Sequence, residues 1–165
     1  MRILSPAAIE SADDVLLDAI AGAREMIVAA GRGTISGLSS AALLMADFAV
    51  MTEDATLVID CPAAWAAVVA RIGRGAVKLQ LGGGEAQVSP ASALEWLLVD
   101  AIVPSERDPL EWIAGWVGGR SEQALDSAAV LIRARGGARL ERTEFARLFA
   151  LGVPQKGLEA FLNRR

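Results

Sequence analysis

The chain has no histidine and only one cysteine among its 165 residues. The missing histidines exclude Ser-His-Asp and Cys-His catalysis and remove the usual ligand of zinc sites. The single cysteine, Cys61, cannot form an internal disulfide, which fits a reducing compartment such as the cytoplasm. We therefore expect a protein without a bound metal or resident cofactor, whose chemistry rests on other groups.

Long apolar runs are also missing. No run reaches the length of a membrane span, because Asp47 and Arg71 interrupt the best candidates. The N-terminal segment MRILSPAAIESADD lacks the apolar stretch of a signal peptide. These absences predict a cytoplasmic protein that does not contact a membrane.

Positive charge is scarce, since the formal net charge is −4. Nucleic-acid binding depends on phosphate neutralisation by lysine and arginine, so the balance argues against such a partner. Apolar residues make up 53% of the chain, which predicts surface buried against another chain and hence an oligomer. The late arginines lie among Glu141 and Glu144 and indicate a solvated helical face; they are Arg133, Arg135, Arg139, Arg142 and Arg147.

Hydrophobic periodicity predicts alternating helices and strands followed by a helical tail, which is typical of the α/β class. Strands are expected at 26–31, twice within 47–59 around a Thr-Glu-Asp turn, and at 100–104. One domain over 1–165 is expected, with an α/β core at about 26–120 and a tail at about 121–165. The predicted helices cover 11–24, 37–46, 62–72, 73–81, 89–99, 109–117, 121–135, 140–151 and 155–163.

Local signals support several helix boundaries. Ser11 and Ser89 are predicted N-caps, and Pro62 suits the first turn of its helix. Asp60 or Cys61 is expected to cap that helix, although Asp60 as a general base and Cys61 as a low-pKa thiol are the chemical alternatives. Pro154 is expected to break the helical tail.

Two glycine-rich segments have both a structural and a functional interpretation. Gly31, Gly33 and Gly37 lie between a strand and a helix, where they either permit a sharp turn or form a dinucleotide-binding loop. In the second case, Glu53 or Asp54 would bind the ribose. The run 82–84 predicts a surface turn, and the next residue, Glu85, would be a site acid if the loop folds inward.

Five segments, taken in order over about 26–165, resemble the crotonase superfamily of enoyl-CoA hydratases and isomerases. The first two resemble the motifs I-A-A-V-N-G-x-x-x-G-G-G and L-E-L-A-L-A-C-D-x-x-x-A-x-E-D-A-x-F. The next two resemble V-G-x-x-x-A-x-x-L-x-L-x-G and I-S-A-x-x-A-L-x-x-G-L-V-x-x-V-V-P. The last resembles a closing E-x-F…A-F-x-x-K-R. In this chain they read IVAAGRGTISG, AALLMADFAVMTEDATL, IGRGAVKLQLGG, VSPASALEWLLVDAIVP and EFARLFALGVPQKGLEAFLNRR.

The resemblance implies an N-terminally shortened, divergent crotonase-like spiral of βαβ units. In that superfamily two backbone N–H groups hold the thioester oxygen of an acyl-CoA as it becomes an enolate. One donor would belong to Gly37-Leu38-Ser39, with the Leu38 amide in the middle. The other donor lies on an earlier loop that has no counterpart here. Arg164 and Arg165 match the end that often lies near CoA phosphates.

The same resemblance implies that both usual catalytic glutamates are missing. The first position is Ala41, and the second is Cys61, or Asp60 with a one-residue slip. We therefore expect a degenerate or partner subunit that lacks standard hydratase activity and binds an acyl-CoA thioester. The alternative is a non-standard acyl-CoA enzyme that uses Asp60, Glu85 or another subunit's residue as base. The expected assembly is a homo-oligomer, either trimer or hexamer, or a hetero-oligomer with another crotonase-like subunit.

Overall fold

The computed structural model describes residues 1–73, 86–134 and 137–163. Its residues form two compact units, which we call the sheet unit and the helical unit. The sheet unit comprises Arg2–Ala23 and Ile27–Val117. The helical unit comprises Met1, Arg24–Met26 and Gly118–Arg165. The predicted α/β class is confirmed, and the single domain over 1–165 stays a prediction.

The sheet unit alternates strands with helices along the chain. Its strands are β1 (Arg2–Leu4), β2 (Ile27–Gly31), β3 (Thr34–Ile35), β4 (Phe48–Thr52), β5 (Thr56–Ile59), β6 (Ala86–Val88) and β7 (Ala101–Val103). Its helices are α1 (Pro6–Glu10), α2 (Asp14–Ala21), α3 (Gly37–Met45), α4 (Pro62–Ile72), α5 (Pro90–Glu95) and α6 (Pro109–Val117).

The main sheet is parallel and has the order β1-β2-β4-β7. Ala29 of β2 pairs with Leu4 on one side and with Ala49 on the other. All five residues of β2 are buried, which explains the unbroken apolar run in the sequence. Helix α3 is buried from Ser40 to Leu44, as its apolar composition predicts.

A second, smaller sheet has the order β3-β5-β6. The turn after Thr52 carries the chain from β4 in the main sheet to β5 in the second sheet. The two strands predicted within 47–59 therefore both form, but they do not pair with each other. Strands β3 and β5 are parallel, with Ile35 opposite Leu57. Because α3 follows β3 and α4 follows β5, both helices begin at the same edge of this sheet.

Two aspartates fix the starts of neighbouring strands in the main sheet in the same way. The Asp47 carboxylate accepts the Ile27 N–H at 2.7 Å, and the Asp47 N–H donates to the Ile27 carbonyl at 2.9 Å. Asp100 repeats the arrangement with Ala49, with both distances at 2.7 Å. Asp47 thus fixes the start of β4 against β2, and Asp100 fixes the start of β7 against β4. The first of these pairings explains why an aspartate follows the apolar segment of α3.

Arg71 of α4 connects three carbonyl groups and the second of these aspartates. Its guanidinium donates to the carbonyl oxygens of Ala46 at 2.8 Å, Leu97 at 3.2 Å and Leu44 at 3.4 Å. It also forms an ion pair with Asp100. The charge that interrupts an apolar helix in the sequence therefore satisfies the carbonyl groups at the end of α3.

The helical unit contains α7 (Glu122–Arg133), α8 (Ala138–Ala150) and α9 (Val153–Leu162). Ser127 of α7 is buried and donates its hydroxyl proton to the Glu144 carboxylate at 2.9 Å. Arg147 donates to the same carboxylate oxygen at 2.9 Å and to the Ser127 hydroxyl at 2.6 Å. Hydrogen bonds from Arg147 and Ser127 lower the pKa of Glu144, so this network joins α7 to α8 as a charged cluster.

Some predicted boundaries are wrong. Ser11 is the C-cap of α1, and Asp13 caps α2 by accepting the Leu16 N–H at 2.8 Å. Helix α1, with Pro6 in its first turn, was not expected and uses the residues before Ser11. Pro154 lies inside the first turn of α9 rather than before it. The predicted helix over 73–81 falls almost wholly outside the described residues, as does the glycine run 82–84.

Candidate functional site

The first turn of α3 is set by the backbone of Gly37. This residue has φ +58°, in the left-handed region that other residues rarely adopt. A Cβ atom at Gly37 would meet nothing within 4 Å, so the backbone angle alone requires glycine. The sequence has glycine at the turn from β3 into α3 because of the backbone conformation of the turn at that position.

Gly31, at the start of the same loop, is favoured for a different reason, which is side-chain packing. A Cβ atom there would lie 2.4 Å from Ile35 Cδ1 and 3.2 Å from Leu43 Cδ2. Both neighbours are buried in the core. Without a Cβ atom at this position, β2 and α3 can approach each other closely. This packing gives a structural reason for the glycine, as the interpretation of the segment as a sharp strand-to-helix turn expects.

Asp60 lies against the beginning of α3. Its Oδ1 atom accepts the Gly37 N–H at 2.8 Å, whereas Ser36, the N-cap residue, makes no capping hydrogen bond with its side chain. The parallel pairing of β3 with β5 brings these residues together across 23 positions of sequence. Asp60 thus caps α3 from outside that helix, and of the two residues expected to cap α4 the structure has Cys61.

Cys61 is the N-cap of α4. Its sulfur accepts the Ala64 N–H at 3.4 Å, and its thiol donates to the Gly37 carbonyl at 3.3 Å. The side chain is half-buried. These contacts give Cys61 a structural role at the junction of the two helices, in agreement with the capping alternative from the sequence.

The Leu38 amide has a fixed direction. The Gly37 carbonyl accepts the Ser40 hydroxyl at 2.7 Å as well as the Cys61 thiol. Because a trans peptide is planar, the Leu38 N–H points away from the side held by Ser40 and Cys61. Within the described part of the chain, that N–H donates no hydrogen bond. Ser40 was not among the predicted site residues, and its sequence position gave no separate signal.

Ala41, one turn into α3, is completely buried and belongs to the hydrophobic core of the sheet unit. The structure therefore brings together Gly37, Leu38, Asp60 and Cys61 and places no proton-transfer group at Ala41. The other predicted site residues, Glu85, Arg164 and Arg165, lie outside the described residues. Over the ranges that are described, no group of three or more His, Cys, Asp or Glu side chains could hold a metal ion.

Arg32 makes contacts that were not predicted from the sequence. It occupies the position at which the crotonase motif I-A-A-V-N-G-x-x-x-G-G-G has asparagine. Its guanidinium donates to the Ser105 carbonyl at 2.7 Å and to the Arg107 carbonyl at 3.3 Å. Glu53 accepts the Ser105 N–H at 3.5 Å. These contacts join the loops that follow β2, β4 and β7, so the residues considered for nucleotide binding lie in a polar loop junction.

Comparison with solved structures identifies the fold. No protein-family model and no curated protein matches the sequence. An enoyl-CoA hydratase from Polaromonas sp. JS666 superposes with a TM-score of 0.75 at 23% identity, over 97% of this chain and 69% of that chain. Subunit I of an enoyl-CoA hydratase from Geobacillus kaustophilus HTA426 gives 0.76 at 20%, over 99% and 77%. An enoyl-CoA hydratase/isomerase from Mycobacterium paratuberculosis gives 0.72 at 19%, over 88% and 61%.

This chain has the crotonase fold, and the resemblance drawn from the five segments is confirmed at that level. It spans between 61% and 77% of the three structures compared. Among the described residues, we find no helix with the length and apolar character that crossing a membrane requires.

Proposed function

We propose that this chain is a crotonase-fold protein that binds an acyl-CoA thioester at the N-terminus of α3 and does not perform standard enoyl-CoA hydration. Its role would be that of a degenerate or partner subunit. The Leu38 N–H supports the binding part of the proposal, since it is directed by Ser40 and Cys61 and has no acceptor among the described residues. An amide at a helix start is suited to a thioester oxygen.

The burial of Ala41 carries the proposal that hydration is lost. Hydration needs a group that transfers a proton to or from the substrate, and an alanine in the core cannot do so. Cys61, at the second position implied by the resemblance, is occupied with capping α4 and holding the Gly37 carbonyl. Ala41 and Cys61 then offer no acid or base of the usual kind, and the carboxylate of Asp60, at the position with a one-residue slip, is bound to the Gly37 N–H.

The helical unit supports a role in an assembly. Neither α8 nor α9 contains a buried residue. Large apolar side chains are exposed on and between these helices: Phe145, Phe149, Leu151, Leu158, Phe161 and Leu162. Exposed apolar area of this kind is typical of a protein–protein interface. We propose a trimer or hexamer of this chain, or a hetero-oligomer with another crotonase-like subunit.

Three measurements test this function. Crotonyl-CoA should raise the melting temperature of the protein more than CoA alone, because ligand that binds only the folded state stabilises it by mass action. A coupled hydratase assay should show no turnover above the buffer rate. Turnover comparable to an ordinary hydratase would refute the loss of hydration, and a lack of any thermal shift at millimolar crotonyl-CoA would refute the binding. A strictly monomeric protein in light scattering at micromolar concentration would contradict the assembly.

A second candidate function is supported by the position of Asp60. Its carboxylate is exposed, and it is bound to the amide directly before Leu38. A non-standard enzyme could use this carboxylate as the base that removes an α-proton from the thioester. In that case Asp60→Asn would abolish α-proton exchange into deuterated water, whereas the partner-subunit proposal expects no such exchange in the parent protein.

A further inference from the structure

The charge of this chain is divided unevenly along the sequence. Residues 118–165 carry nine Lys or Arg and five Asp or Glu, which gives a formal charge of +4. Residues 1–117 carry seven Lys or Arg and fifteen Asp or Glu, which gives a formal charge of −8. Complementary potentials steer two surfaces together and align them. Two copies of this chain are therefore attracted to each other when the basic part of one faces the acidic part of the other.

One face of α8 presents an uncovered aromatic pair next to positive charge. Phe145 and Phe149 are 61% and 46% exposed, and their ring centroids lie 4.6 Å apart. Arg142 lies one turn before Phe145 on the same face and is exposed. Exposed Arg139 borders this face on one side and exposed Glu141 on the other, so its net charge is positive. We call this surface the aromatic face of α8.

The surface formed by α1 and α2 carries negative charge alone. Residues 3–23 include four acids and no Lys or Arg. All four acids are exposed: Glu10, Asp13, Asp14 and Asp18. Asp14 and Asp18 lie one turn apart on α2, next to Val15 and Ala19, which are exposed with the same spacing. These four residues of α2 form the acidic face of α2, whose small apolar side chains leave room for bulky partners.

We infer that the aromatic face of α8 in one copy packs against the acidic face of α2 in the next copy. The inference rests on the proposed assembly and names its contact. The two phenylalanine rings would cover the small apolar side chains of α2, and Arg142 would lie against Asp14 and Asp18. Aromatic residues and arginine supply much of the binding energy at protein interfaces. A contact between two different surfaces is heterologous, which is the kind that a ring of three copies requires.

Charge reversals in the full-length chain test this contact. The acid-reversed variant carries Asp14→Arg and Asp18→Arg, the base-reversed variant carries Arg139→Glu and Arg142→Glu, and the exchanged variant carries all four changes. Light scattering over a concentration series gives the dissociation constant of each assembly. The base-reversed variant keeps the test decisive if arginine at the start of α2, where the helix dipole is unfavourable to it, prevents folding.

A matched control separates the contact from the net charge. Glu95→Arg with Glu111→Arg changes the net charge as much as the acid-reversed variant does, at exposed acids of α5 and α6. The acid-reversed and base-reversed variants should each assemble at least about tenfold more weakly than the parent, because like charges then face each other. The exchanged variant should recover most of the loss, and the control should assemble like the parent.

Each other outcome overturns the inference. If both reversals assemble like the parent, the inference fails and the proposed assembly stands. Weakening in the base-reversed variant alone would show that α8 contacts something other than α2. Equal weakening in the control, or no recovery in a folded exchanged variant, would show that the two faces do not meet. A strictly monomeric parent chain would refute the proposed assembly and the inference together.

Discussion

Leu97 is the described non-glycine residue whose backbone is in the left-handed region, with φ +61°. It follows α5, where the Leu98 N–H donates to the Ala93 carbonyl at 2.8 Å and the Leu97 N–H donates to the Leu94 carbonyl at 3.0 Å. This pair of hydrogen bonds is a Schellman motif, which normally has glycine at the left-handed position. The crotonase motif I-S-A-x-x-A-L-x-x-G-L-V also has glycine there. We therefore expect Leu97→Gly to relieve backbone strain.

The size of the effect follows from comparing Leu97→Gly with Leu97→Ala, because both changes remove the same side chain beyond Cβ. That side chain is 70% exposed, so little buried apolar area is lost in either case. A left-handed conformation costs an L-residue about 1–2 kcal/mol, and glycine gives back about 0.5–1 kcal/mol through the entropy of the unfolded chain. The glycine variant should then be about 0.5–1 kcal/mol more stable than the alanine variant.

Urea unfolding followed by circular dichroism measures this difference, and a thermal melt should show about 1–4 °C between the two variants. Equal stability of Leu97→Gly and Leu97→Ala would refute the argument, because the strain of the left-handed backbone would then be no larger than the entropic cost of glycine, about 0.5–1 kcal/mol. A glycine variant that is less stable than the alanine variant by the whole of that cost would show that the position carries no left-handed strain in solution.

Three further changes test the packing and the charges. Gly31→Ala should cost about 1–3 kcal/mol in urea unfolding, and adding Ile35→Val, which removes the clashing Cδ1 atom, should recover part of the loss; no recovery would contradict the close approach. Asp47→Ala should cost about 1–3 kcal/mol by leaving the buried Ile27 N–H unpaired, and a neutral result would contradict that pairing. Since the folded pKa of Glu144 lies below its ordinary value of 4.5, its stabilisation is complete above that pH and declines as pH falls through the lowered pKa. Glu144→Gln should therefore flatten the acid limb of the stability–pH curve, and an unchanged limb would exclude this group.

Local sequence signals determined many of the elements correctly. Pro62 after a capping residue and Ser89 before Pro90 mark helix starts that the structure confirms. The apolar run at 26–31 predicted a buried strand, observed as Ile27–Gly31. These predictions succeed because caps, proline geometry and apolar periodicity act within a few residues. The short strands β3 and β6 were missed, since each is held by pairing with β5 rather than by its own composition.

The candidate site shows the limit of local signals. The sequence by itself determined that Gly37 ends a strand-to-helix turn, that Ala41 carries no acid, and that Asp60 and Cys61 lie at a helix start. It could not show which helix Asp60 caps, because α4 begins beside Asp60 in the sequence, whereas α3 begins beside it only in the folded chain. Only the parallel pairing of β3 with β5 decided this, by placing two helix starts side by side. That long-range contact puts the Asp60 carboxylate on the Gly37 amide and the Cys61 thiol on the Gly37 carbonyl.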